Sequence, residues 1–319
     1  MKISLLKGIA ITALLFSYSN NFVVAMNGSN SSQPMNTSVA QTAVQLEGKE
    51  AQVAIINNTA IKYFAAIVGR LNCHVLSSAK DKKAKTSIKA SFDTNQQTYI
   101  GNITNMIQDQ VNVSESGEGR VLKDIIEKNE KKMTKELNKI KDVNSLEKFY
   151  STIEKYYASE IANLIATGDS DLNIQNNILQ SLQSVVNYMT KTYKLQATRG
   201  DHLEGRYNTA LEHTLEVGML ELIENICKGF KNKGHIVNNI FAQDSKYNYT
   251  HFKPLQDALS SKAKEAKKAI HDLVKNAQAS DYTSLTQFAN NINVDYDKIK
   301  TDKNIINIEP AKLDAQKIK

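Results

Sequence analysis

From residue 35 to residue 253 the chain contains no proline. The proline ring removes an amide donor and collides with the preceding helical turn, so a stretch this long without one permits helices of many turns. Only three prolines (Pro34, Pro254, Pro310) and 13 glycines punctuate the 319 residues. Inside the proline-free stretch, apolar residues recur at intervals of three and four, which places them on one side of a helix. Leu122, Ile126, Met133, Leu137 and Ile140 form one such stripe, broken only by Asn129, and Leu146, Phe149, Ile153, Tyr157, Ile161 and Leu164 form the next. Alternating β-branched residues occur only in isolated runs, which argues against a sheet. The expected fold is all-α: an elongated, mainly antiparallel helical bundle of about seven or eight helices.

Punctuation within the pattern divides it further. An apolar helical stretch runs from Val39 to Lys80, with Gly48 and Gly69 as points where it can kink. Residues 81–111 are less periodic, with a lysine-rich start and a shorter stripe through Phe92, Tyr99, Ile103 and Ile107. Gly117 and Gly119 in the segment SESGEGR predict a loop over 114–120, and with it a subdivision near 112–120. Asn144 with Glu147, and Asp201 with Glu204, have the three-residue offset of a capping box and predict helix starts. Pro254 belongs in a first turn, and opens a helix through Leu255, Leu259, Ala266 and Leu273. The expected organisation is a signal peptide over 1–25, a disordered linker over 26–38, the helical bundle domain over 39–300 and a flexible tail over 301–319.

The signal peptide is read from MKISLLKGIAITALLFSYSNNFVVA, in which Lys2 and Lys7 precede an uncharged apolar run from Gly8 to Phe16. Ser17, Ser19, Asn20 and Asn21 break that run well short of the roughly 20 apolar residues a membrane-spanning helix needs. Val23 and Ala25 provide the small or slender positions before a cut, so cleavage is expected between Ala25 and Met26. The expected destination is periplasmic, or secreted and extracellular.

Charge narrows the partners. The formal net charge is +7, and only four basic residues are arginine (Arg70, Arg120, Arg199, Arg206). Nucleic-acid readers depend on the planar guanidinium fork, so a nucleic-acid partner is not expected. Seven Asn-x-Ser/Thr triplets, Asn57 and Asn102 among them, are what an asparagine-rich chain produces by chance. Two cysteines, Cys73 and Cys227, lie in apolar helical segments. In an oxidising compartment they either form a disulfide or serve as buried apolar thiols.

Motifs with chemistry are few. Asp169, Asp171 and Asn173 match the first ligands of a calcium loop, but Ile174 stands where glycine is required and Gln180 where a bidentate carboxylate is required. Helix capping accounts for them better. Gly229 and Gly234 have phosphate-loop spacing, but His235 and Ile236 follow where Lys-Ser/Thr should stand. His213 and Glu216 share a helical face as two metal ligands would, yet roughly opposite the stripe of Tyr207, Leu211 and Leu215, where a solvated polar face is expected. The aromatic pairs Phe149-Tyr150 and Tyr156-Tyr157 read as core packing rather than a recognition patch, and the lysine-bordered, alanine-rich helix after Pro254 reads as a bundle element.

No catalytic residue, cofactor or metal site is expected from these patterns. The reading they favour is an exported helical binding protein that contacts another protein at the cell envelope, the cell surface or a host. One alternative is a membrane-active, pore-forming-like protein acting at a membrane surface through residues 51–76 and 254–276. Another is a helical metal-dependent hydrolase built on His213 and Glu216.

Overall fold

The structure is a computed structural model that describes residues 48–109, 117–167, 172–195, 202–232, 252–278, 281, 282 and 285. The expected leader with its Ala25–Met26 junction, the expected linker, residues 233–251 and the expected tail lie outside the described residues. So do Asp169, Asp171, Asp201 and Gly234. Seven helices are described, and no strand occurs among the described residues: α1 (Gly48–Ser77), α2 (Lys82–Gln108), α3 (Gly117–Leu137), α4 (Val143–Thr167), α5 (Leu172–Thr192), α6 (His202–Asn232) and α7 (Phe252–Asn276). The all-α bundle follows from the three-four spacing.

Local chemistry sets the boundaries, and in three places it differs from the sequence expectation. Residues 82–108 form one continuous helix, because the Asp81 carboxylate accepts the Ala84 amide at 2.8 Å and caps its first turn. The α4 cap is Asp142 rather than Asn144: its carboxylate accepts the Ser145 amide at 2.7 Å, while Ser145 Oγ accepts the Asp142 amide at 2.9 Å. Serine takes the reciprocal role expected of Glu147, and that residue faces α1 instead. The backbone is helical from Gly117 onward, so α3 begins inside the segment expected to be a loop.

α1 is the central post. Residues from Ile55 to Ala79 are buried on nearly every side, and Ile56, Ala60, Phe64, Ala66, Val68 and Val75 are fully enclosed. A helix with so much of its surface buried has to be surrounded. α4 runs antiparallel to it: Gln52 reaches the Leu164 carbonyl at 2.6 Å, Arg70 meets Glu154 at 2.6 Å and Ser77 meets Glu147 at 2.9 Å. α6 is antiparallel to it as well, with Tyr63 donating to the Gly218 carbonyl and Tyr207 to Asn72, both at 2.8 Å. α5 and α2 complete the surround, and α7 lies outside, packed almost entirely on α6.

Gly69 does not break α1, which is continuous through it. A Cβ there would stand 2.5 Å from Cζ of Tyr150, so the missing side chain admits the tyrosine ring of α4 against the backbone. Phe149, Tyr150 and Tyr157 are buried, as core packing requires. Asn57, one of the seven glycosylation triplets, is buried in α1 and accepts a hydrogen bond from Ser181, which leaves no room for a glycan.

Candidate functional site

Charged and polar side chains from three helices line an opening where α1, α4 and α6 meet. Three antiparallel or parallel helices that share a seam usually fill it with apolar side chains. Here part of the seam opens into a cleft of about 480 Å³, within the roughly 300–1,000 Å³ usual for ligand pockets. Tyr63 and Arg70 come from α1, Glu154 and Lys155 from α4, and Glu221 and Lys228 from α6.

Arg70 and Glu154 form its central pair. Arg70 Nε donates to Glu154 Oε1 at 2.6 Å, and the two side chains are 37% and 11% exposed, so the guanidinium can be reached from outside while the carboxylate is covered. Burial raises the Glu154 carboxyl above its ordinary range, against the downward pull of Arg70. Burial likewise opposes the Arg70 charge, but the attraction and hydrogen bond of Glu154 hold its pKa above the usual value. Glu221 stands at the exposed rim, and Lys228 is shared there with Glu224 at 3.1 Å. Tyr63 spends its hydroxyl on the Gly218 carbonyl, and burial keeps it un-ionised.

A second polar group lies inside the bundle. The buried Lys62 ammonium donates to the Ile107 carbonyl at 3.2 Å and to the Asp109 carbonyl, with the Tyr157 ring centroid 6.0 Å away. It thus satisfies orphan carbonyls at the α2 C-terminus and favours that end of the helix dipole. Its work is structural.

His213 and Glu216 do not lie on a solvated face. α6 is packed on two sides, by α1 and by α7, so the face opposite the core stripe meets α7. There His213 Nδ1 is 4.0 Å from Glu216 and 3.7 Å from Glu265, while Lys262 Nζ is 3.4 Å from Glu216 and 3.0 Å from Glu265. The Lys262 ammonium is within reach of both carboxylates, so the cation in this cluster belongs to the protein. Among the described residues, no group of three or more His, Cys, Asp or Glu side chains is placed to hold a metal ion. Glu212, beside them in sequence, pairs with Lys194 at 2.5 Å.

Cys73 and Cys227 are both buried free thiols. The antiparallel register explains why they do not form the disulfide: Tyr207 meets Asn72, next to Cys73, and Cys227 lies twenty positions beyond Tyr207 on the same helix. At about 1.5 Å per residue this separates them by roughly 30 Å, against the roughly 7 Å limit between bonded cysteine Cα atoms.

Sequence reading missed the cleft residues, because Arg70, Glu154 and Glu221 come from three helices and follow no local spacing. One signal was present: Arg70, one of four arginines, interrupts an otherwise apolar stretch, and such a charge needs a partner when its helix is enclosed. Compared with protein-family models, curated proteins and solved structures, this chain shows no significant match.

Proposed function

We propose that the protein is an exported helical binding protein, and that the cleft between α1, α4 and α6 receives a polar segment of the protein it contacts. The observation that carries this reading is the Arg70–Glu154 pair: a covered carboxylate bound to a reachable guanidinium, in an opening large enough for a ligand. Taking two charges out of water costs more than close packing of apolar residues would, so a purely structural seam gains little from them. Exposed lysines and carboxylates elsewhere on the bundle form mostly helical pairs at offsets of three or four, such as Lys89 with Asp93 and Lys139 with Glu136. Those are ordinary solvated faces and add little to binding.

A photo-crosslinking residue at Ser159, on the exposed rim of the cleft, should yield a discrete protein adduct in the native cell. The same residue at Lys83, on the exposed start of α2, should not. Equal labelling from both positions, or none from Ser159, sinks the reading. The membrane-active alternative ranks second, and none of the described helices is long and apolar enough to cross a membrane. Leakage of dye from anionic liposomes at the rate of a pore-former would reverse that ranking.

A further inference from the structure

We infer that the cleft recognises a carboxylate, carried by an acidic peptide segment, through the open end of the Arg70 guanidinium. The inference rests on the binding reading above and names the chemistry of what the cleft takes. Glu154 occupies only the Nε of Arg70, and among the described residues no other hydrogen bond or ion pair holds this side chain. The two terminal nitrogens therefore remain for a ligand, and their planar fork matches the two oxygens of a carboxylate. Glu154 fixes the fork from beneath, so little side-chain freedom remains to be lost on binding.

The charge around the fork favours one negative charge over two. Arg70, Lys155 and Lys228 line the cleft with Glu154 and Glu221, three positive groups against two negative, and Lys228 is already shared with Glu224. With Glu224 counted the charges balance, so a single carboxylate disturbs the cleft less than a dianion does. A phosphate dianion would face Glu154 and Glu221 across the same opening, and like charges at close range repel. Glu221 at the rim instead suits a donor on the ligand, such as a peptide amide or a neighbouring ammonium. Ser151 and Asn225 on the walls add hydrogen-bonding groups that an apolar ligand could not use.

The chain itself supplies the probe. It has four arginines, so the side-chain Nε–Hε region of a nitrogen-15 NMR spectrum holds few signals, and Arg70→Lys identifies one of them by its loss. The full mature protein is titrated with a short peptide of alternating Glu and Gly, with sodium acetate and with sodium phosphate. Saturable movement of the Arg70 signal with the peptide supports the inference, and weaker movement with acetate places the carboxylate on the fork with the peptide flanks adding affinity. Arg70→Lys keeps the charge but loses the fork, and should bind the peptide about tenfold more weakly or worse. Lys155→Gln, at an exposed rim position, removes a positive charge without adding a negative one beside Glu154, and should weaken binding more than it shifts thermal unfolding, which separates binding from folding.

No saturable Arg70 response to either carboxylate overturns the inference, as does phosphate binding at least as tightly as the peptide, or Arg70→Lys binding as the parent does. If these fail while Ser159 still gives its adduct, the cleft binds a protein by other chemistry. If the Ser159 adduct is absent too, both readings fall.

Discussion

Glu154 holds a charge in surroundings that favour its neutral form, and this gives it a recognisable effect on stability. Its folded pKa is raised chiefly by burial, so between the ordinary 4.5 and that raised value the folded protein binds more protons here than the unfolded chain does. Its contribution is therefore largest below 4.5 and is lost as the pH rises through the raised value. Urea unfolding across the acid range should show a steeper downward slope in the parent than in Glu154→Gln, the remainder coming from Glu221, whose carboxyl burial also raises. Identical pH dependence in the two proteins would mean the carboxyl is not perturbed. Asp142 works in the opposite sense: the amide of Ser145 lowers its pKa, so what it contributes is lost as the pH falls through that lowered value. Gly69 gives a test of packing. Alanine there would push a methyl group into the Tyr150 ring at 2.5 Å, and the cost should be about 1–3 kcal/mol in urea midpoints with an unchanged slope. Neither effect can be read locally from sequence, since Gly69 looks like a kink point until the ring that fills its place, eighty-one positions away, is known.

At the scale of elements, periodicity showed far more than boundaries did. The stripes through Met133, Leu137 and Ile140, and through Leu146, Phe149, Ile153, Tyr157 and Ile161, are buried as their spacing implies. Caps were harder, because aspartate, asparagine and serine near a helix start all offer an oxygen, and only the backbone geometry chooses among them. So Asp142 and Ser145 cap the start of α4, and Glu147 pairs with His74 at 2.9 Å. The register between helices was illegible, since three-four spacing says which side of a helix is apolar but not which turn meets which. That register decides the state of the cysteines. Burial pushes the Cys227 thiol up to about 11 and the Cys73 thiol higher still. The native protein at pH 8 should therefore leave a thiol reagent almost unreacted, and unfolding it in guanidinium without reductant should release two thiols. Recovery of none would mean that a bond has joined them, and would break the register of α1 against α6.

For the molecule as a whole, α1 touches helices drawn from nearly the full length of the described chain, while α7 adds a layer on the far side of α6. The cleft arises from this arrangement, because its walls meet only when three remote segments surround one helix. That is why composition and motif reading, which located the apolar stripes, left the site unmarked. The expected leader makes its own prediction: amino-terminal sequencing of protein recovered outside the cytoplasm should begin at Met26, and recovery from the cytoplasm alone with Met1 intact would remove the case for export.

A central α1 also governs how the chain can assemble. Arg70 waits for a partner 84 positions downstream and Tyr63 for one 155 positions downstream, so the most apolar helix is synthesised long before the surfaces that will cover it. Helical proteins usually fold fast because their contacts are close in sequence, and this one gives up much of that advantage. Until α6 emerges, α1 is a sticky segment without its sheath, and refolding at high concentration should lose material to aggregation unless a chaperone shields it.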